Sequence, residues 1–301
     1  MTTKMNELSV KSVELESRPP IQSFVIYLSA VLLAVVILAP FLWLLISAIS
    51  TKAELLSNPI HWIPSHPTLA NFQKLFMGGV TSISGGEIPP FQDAIRNSLV
   101  VALSATLFCL IIGALAAYAF ARFNFWIKNQ LLVVVIAIRM LPEIALVVPL
   151  YILMRTLHLM DTPLVLIIVY TSFLLPFIIW LLKSYFQSIP KELEEAAYVD
   201  GASRMQILVR IILPLSVPGL ITSGIFALLT AWDEFLFALI FTSTYNAKTI
   251  PVSISEFTTR HMIDYSLMTA GGLIAALPPI IFTLLLQKHI INGLTAGAVK
   301  E

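Results

Sequence analysis

The sequence predicts an all-α membrane protein of six transmembrane helices, and three observations carry that reading. Hydrophobic residues make up 58% of the 301-residue chain and charged residues only 12%, a balance foreign to soluble domains of this length. Six nearly uncharged stretches each approach the roughly 20 residues needed to cross ~30 Å of hydrocarbon. In lipid, moreover, a helix satisfies its own backbone polar groups whereas an open strand does not.

Taken in order, the spans run at about Phe24–Ser50, Leu99–Ala121, Leu131–Met154, Pro163–Leu182, Leu215–Phe241 and Gly271–Gln287. The first has an apolar core far longer than the roughly 7 to 15 residues of a signal peptide, so it reads as an uncleaved anchor. Residues 1–23 form an N-terminal tail, 24–291 the six-span domain and 292–301 a C-terminal tail. Between the first two spans lies a long loop rich in proline, glycine and serine, whose segment Ser82 to Pro90 reads as a variable insert.

An even number of spans puts both termini on one side. If that side is the cytoplasm, it holds Lys4, Lys11, Arg18, Arg122, Lys128, Lys183, Lys191, Arg204, Arg210, Lys288 and Lys300, leaving Lys52, Lys74, Arg96, Arg155, Lys248 and Arg260 outside. Basic residues favour the cytoplasmic flanks, so both termini are expected inside. The net charge of +1 gives no reason to expect a nucleic acid partner. The single cysteine, Cys109, excludes an intrachain disulfide.

The link between the fourth and fifth spans, residues 188–214, departs from this apolar pattern. Ser188, Ile189 and Pro190 suit a helix start, and Glu192, Glu194 and Glu195 follow where the helix dipole favours negative charge. Leu193, Ala196 and Ala197 share a face, and alanine there lets another protein approach closely without loss of helicity. Gly201 predicts a left-handed helix stop and Ser203 the cap of a second helix. Pro214 marks the turn into the fifth span.

These residues carry a resemblance. Glu195, Ala196, Ala197 and Gly201, followed by Ile211, Ile212, Leu213 and Pro214, resemble the EAA signature of ATP-binding-cassette importer permeases. The WIPSHPTLANFQKLF and RNSLVVAL runs and the terminal GLTAGAVK are similar to the carbohydrate branch of that family, especially the smaller maltose-type permease. The resemblance implies a type I importer permease fold with a cytoplasmic coupling helix built from Glu195, Ala196, Ala197, Gly201, Ile211, Leu213 and Pro214. It implies a tail, through Gly293, Gly297 and Lys300, that reaches partner ATPases. It also implies a second, homologous permease, two ATPase subunits that bind ATP and magnesium, an extracytoplasmic solute-binding protein, and residence in a bacterial or archaeal cytoplasmic membrane.

No phosphate-binding loop, HExxH or GxSxG occurs in the chain, so it is expected to hold no cofactor and catalyse no reaction itself, ATP hydrolysis falling to other chains. His158, His261 and His289 lack metal-ligand spacing. Ionisable residues at membrane depth are costly and mark partners or aqueous paths. Arg139 and Glu143, four apart, are expected on one helix face within pairing reach. Trp232, Asp233 and Glu234 offer an aromatic platform beside two carboxylates. These five residues form the expected substrate pathway; the alternative is an ion-gradient-driven secondary transporter or channel that uses the four charges.

Overall fold

The computed structural model describes residues 20–59, 61–77, 80–81, 87–88, 91–258 and 263–296. Its helices are α1 (Pro20–Ile49), α2 (Lys52–Leu55), α3 (Ala70–Met77), α4 (Gln92–Arg122), α5 (Lys128–Ala137), α6 (Glu143–Thr156), α7 (Pro163–Ser188), α8 (Glu192–Val199), α9 (Arg204–Ile207), α10 (Leu213–Leu215), α11 (Val217–Asp233), α12 (Leu236–Phe241), α13 (Ile250–Ser255) and α14 (Tyr265–Ala296). The long loop between α1 and α4 carries a small antiparallel hairpin, β1 (Val80–Thr81) with β2 (Glu87–Ile88), in the register Val80 to Ile88 and Thr81 to Glu87. The rest of the Ser82 to Pro90 insert lies outside the described residues.

Four helices, α1, α4, α7 and α14, are each long and apolar enough to cross a membrane alone. The count reaches six when two bent pairs each serve as one span. One of these is the expected span 131–154, which bends sharply in its middle. Helix α5 tightens into a 3-10 turn at Ile138–Met140, Leu141 is extended, and α6 departs at 98°. Pro142 accounts for the break: it lacks an N–H and its ring forbids the helical conformation to the residue before it. The fifth span also differs from 215–241, because α11 stops at Asp233 and α12 begins anew at Leu236. Helix α4 starts seven residues before the expected Leu99, with Asp93 in its first turn and Arg122 in its last, the order the helix dipole favours. Helix α14 continues into the expected tail, so Gly293 is helical; Gly297 and Lys300 lie outside the described residues.

The core forms where α4 meets α7. Helix α4 turns a small-residue stripe inward, Ala102, Ala105, Cys109, Ala114, Ala117 and Ala121, and α7 answers with Val165, Leu166, Val169, Leu174, Ile178, Leu182 and Phe186. Lipid tails are as apolar as leucine, so membrane helices gain from close van der Waals approach more than from burial itself, and small residues permit that approach. Helix α11 packs on α4, α7 and α14, while α1 packs on α14. Long stretches of α1 remain apolar and exposed, as befits a lipid-facing helix.

Side chains rather than sheets tie down the loops at one end of the bundle. Asn97 Nδ2 donates to the carbonyls of Tyr245 (2.9 Å) and Lys248 (3.0 Å), and Ser98 Oγ accepts from Ile250 N (2.8 Å). Both anchors sit near the start of α4. Between α6 and α7, Asp161 adopts φ 59° and accepts from Ser243 N, Thr244 N and the Thr244 hydroxyl at 2.7–2.8 Å. Burial pushes the Asp161 carboxyl up, but these hydrogen bonds and nearby Lys248 outweigh it and hold the group below its ordinary value. Burial together with the Glu256 carboxylate pushes the Tyr245 phenol up to about 12.

Candidate functional site

The polar link between α7 and α11 folds as two short helices at a fixed angle. Helix α8 stops in a double hydrogen-bond arrangement: Gly201 N donates to Tyr198 O (3.1 Å) and Ala202 N to Ala197 O (3.0 Å). This closure requires a left-handed residue between the two donors, and Gly201 supplies φ 85°. A Cβ at Gly201 would meet nothing within 4 Å, so the demand for glycine is conformational. Two residues later a capping box starts α9. Gln206 N donates to Ser203 Oγ (3.4 Å) and Ser203 N to Gln206 Oε1 (2.7 Å), which satisfies two amides the helix start would otherwise leave open.

From α9 the chain enters a π turn, Leu208–Ile212, in which Leu213 N reaches back five residues to Leu208 O. Pro214 follows inside α10, and Ser216 completes an 80° bend into α11. The turn therefore falls at Ser216 rather than at Pro214. A proline ring crowds the carbonyl four residues before it, and the wider π turn relieves that conflict. Ile207, Leu208 and Ile212 are buried, and Ile211 and Leu213 pack against the core at its edge. The apolar end of the segment anchors it; the acidic end is presented.

On α8 the adjacent glutamates diverge. Glu194 is buried, its carboxylate receiving the Tyr118 hydroxyl (3.1 Å) and an ion pair from Arg122 Nε. Arg122 Nη2 also donates to Ile189 O (2.8 Å). Glu195 and Ala196 face outward, and Ala197 is half-buried. Around Glu195 a shallow cavity is lined by Arg122, Lys191, Glu194, Tyr198, Val199 and Arg204. The Arg204 guanidinium lies 5.0 Å from the Tyr198 ring centre and 5.7 Å from that of Phe123, close enough for cation–π attraction. Leu193, Tyr198 and Val199 are 46%, 58% and 87% exposed.

In the sequence, Glu194 shows only as part of an acidic first turn and Arg122 only as a topology-setting charge. No local pattern joins them, because they are 72 residues apart.

The expected pathway residues do not form one cluster. Arg139 donates to Phe173 O (3.1 Å), and the break at Pro142 ends the shared helix face that would have paired it with Glu143. Among the described residues the ion pairs are Lys52–Asp264, Arg122–Glu194 and Lys248–Glu256. Glu143 instead lies within electrostatic range of Glu234. Glu234 caps α12, accepting from Phe237 N (2.8 Å) and Ala238 N (3.2 Å); the buried Tyr170 hydroxyl faces it without a regular hydrogen bond. Trp232 is 4% exposed and donates from its indole to Ala275 O (3.0 Å). It is a packing residue locked between α11 and α14, not the open platform expected. Asp233 points elsewhere, into a cavity of about 530 Å³ bounded by Phe41 and by α14 residues from Gly272 to Leu284.

Residues 109–295 match the family model described as binding-protein-dependent transport system inner membrane component. The sulfoquinovosyl glycerol transport system permease protein SmoH of Agrobacterium fabrum is 37% identical over 274 residues, covering 91% of this chain and 93% of that protein. The trehalose/maltose transport system permease protein MalG of Thermococcus litoralis is 35% identical over 283 residues, 93% and 98% of the two chains. Among solved structures, a chain from the crystal structure of a bacterial ABC transporter involved in the import of the acidic polysaccharide alginate superposes with a TM-score of 0.73 at 19% identity, covering 89% of this chain and 96% of that one.

Proposed function

The chain belongs to the family of binding-protein-dependent transport system inner membrane components, and from that premise we propose that it is one of two permease subunits of an ATP-driven carbohydrate importer. The cargo is a sugar, a di- or oligosaccharide or a related polyol or glycoside, the class named for the two relatives. Two partner ATPases bind and hydrolyse ATP with magnesium, an extracytoplasmic protein delivers solute, and both termini of this chain lie in the cytoplasm. This subunit moves its cargo without breaking or making a bond.

The observation that carries the reading is the presented face of α8. Glu195, Ala196 and exposed Leu193 and Val199 form a small-residue, acidic and apolar surface on a helix held rigid at both ends. Such a face suits a cleft on an ATPase, with Glu195 meeting a basic residue there. When two ATPases close on nucleotide, a segment gripped in this way is displaced, and the displacement passes through the anchored Ile207, Leu208 and Ile212 into the bundle. Transport is then a switch between two packings of the same helices, biased by the ATPase state.

Purification from native membranes in mild detergent, followed by reconstitution, tests this. A second permease and an ATPase should accompany the chain, and uptake should require ATP and survive collapse of the proton gradient. Uptake by the chain alone, abolished by an ionophore, would overturn the proposal in favour of a gradient-driven carrier.

A further inference from the structure

We propose that Arg122 is a positioning residue that fastens the coupling helix α8 to the inner end of α4, so that the partner's stroke enters the bundle through α4 as well as through the covalent path into α11. The inference rests on the importer reading above. The covalent path from α8 to α11 runs through the Gly201 turn, the π turn and an 80° bend. A second attachment bypasses all three. Arg122, the last residue of α4, grips α8 at Glu194 and the preceding turn at Ile189 O. Tyr118, one helical turn earlier, adds its hydroxyl to the same carboxylate. Each partner is almost fully enclosed, the two charged side chains being 5% and 6% exposed.

Burial decides what such a contact can do. An exposed ion pair is screened and contributes little, while an enclosed one resists separation because either charge alone would be left without water or a partner. The planar guanidinium directs donors to two acceptors at once, which fixes orientation as well as distance. Arg204, over the rings of Phe123 and Tyr198, closes the same junction from its open side. Helix α4 in turn packs along much of α7. A displacement of α8 must therefore carry the core pair of helices with it or break an enclosed charge pair.

The two adjacent glutamates thus have separate duties: Glu194 faces its own subunit and Glu195 faces outward.

The test uses the reconstituted complex with its own binding protein. Solute moved per ATP hydrolysed is measured for wild type, Arg122→Gln, Arg122→Lys and Tyr118→Phe. The expected result for Arg122→Gln is continued ATP hydrolysis with solute per ATP reduced on the order of tenfold, the scale of an ordinary coupling free energy. Arg122→Lys, which keeps the charge and loses the fork, falls between. In parallel, spin labels at exposed Asp200, which ends α8, and at exposed Leu103 report the distance from α8 to the outer part of α4; the only native cysteine, Cys109, is buried. That distance should be narrow and equal with and without trapped nucleotide in the wild type, and broad in Arg122→Gln. Wild-type stoichiometry with an unchanged distance distribution in Arg122→Gln would overturn the proposal. Should that variant fail to assemble, Tyr118→Phe, which removes one hydrogen bond and no charge, must still lower solute per ATP; a normal ratio there overturns it too. A wild-type complex without solute-stimulated ATP hydrolysis would instead count against the importer reading itself.

Discussion

Substituting Gly201 separates backbone demand from packing demand at the turn that ends α8. The residue sits at φ 85°, and a Cβ there would touch nothing within 4 Å, so alanine meets no steric obstacle in this subunit. What remains is the left-handed conformation, which costs an L-residue roughly 1–2 kcal/mol. That sum corresponds to a factor of about 5 to 30 in the balance between a closed and a frayed turn. The loss is local, because only the two hydrogen bonds to Tyr198 O and Ala197 O and the angle between α8 and α9 depend on it. Thermal unfolding of the purified protein should barely change, while ATP-driven uptake in proteoliposomes falls by a factor within that range. Gly201→Asn should lose least, since asparagine tolerates left-handed dihedrals, Gly201→Ala more, and Gly201→Val most. A ranking by side-chain volume, with asparagine worse than alanine, would refute the conformational account and point to close contact with a partner. Normal uptake by Gly201→Val would refute it outright.

Other outcomes follow from the same geometry. Glu195→Lys should insert and assemble normally yet abolish ATP-driven uptake, because it reverses charge on the presented face without touching the buried Glu194; retained uptake would remove Glu195 from the coupling role. Gly219→Ala should behave oppositely to Gly201→Ala: its Cβ would lie 2.5 Å from the Tyr185 ring, so the α11–α7 contact must spread, lowering the thermal midpoint by an amount matching about 1–3 kcal/mol of overpacking. Asp161 contributes stability above the ordinary aspartate value, where its carboxylate is charged in both folded and unfolded chains, and the contribution is lost as pH falls through the lowered folded value. The thermal midpoint of Asp161→Asn should accordingly lie below that of the wild type at neutral pH, and the gap should narrow on acidification.

Much of this molecule was legible from residue order because the bilayer leaves the chain few choices. Apolar length located the spans, and the polar link announced itself by contrast. Gly201 and Ser203 were readable as stop and start because each acts on its own neighbours. The misreadings concern what each segment packs against. Helical spacing placed Arg139 and Glu143 on one face, but Pro142 turned the chain by 98° between them. A proline predicts an interruption; the angle depends on what the two halves then pack against. Trp232 looked like an open ring until Ala275, 43 residues later, was found to accept its indole N–H. The different fates of Glu194 and Glu195 were likewise invisible, since the sequence around α8 does not disclose that the end of α4 lies beneath it.

Helix α4 runs 31 residues without interruption, about 46 Å at 1.5 Å per residue. Near one end Asn97 and Ser98 hold the chain from Tyr245 to Ile250; at the other, Tyr118 and Arg122 hold α8. In the proposed importer, a single rod gripped at both ends makes the two faces of the membrane thermodynamic effectors of each other. Any ligand that favours one position of α4 from outside must change the affinity for a partner inside by the same factor, and the partner must return it. In the importer proposed above, solute arrival and nucleotide-driven closure then become two readings of one equilibrium, with neither face acting first by necessity.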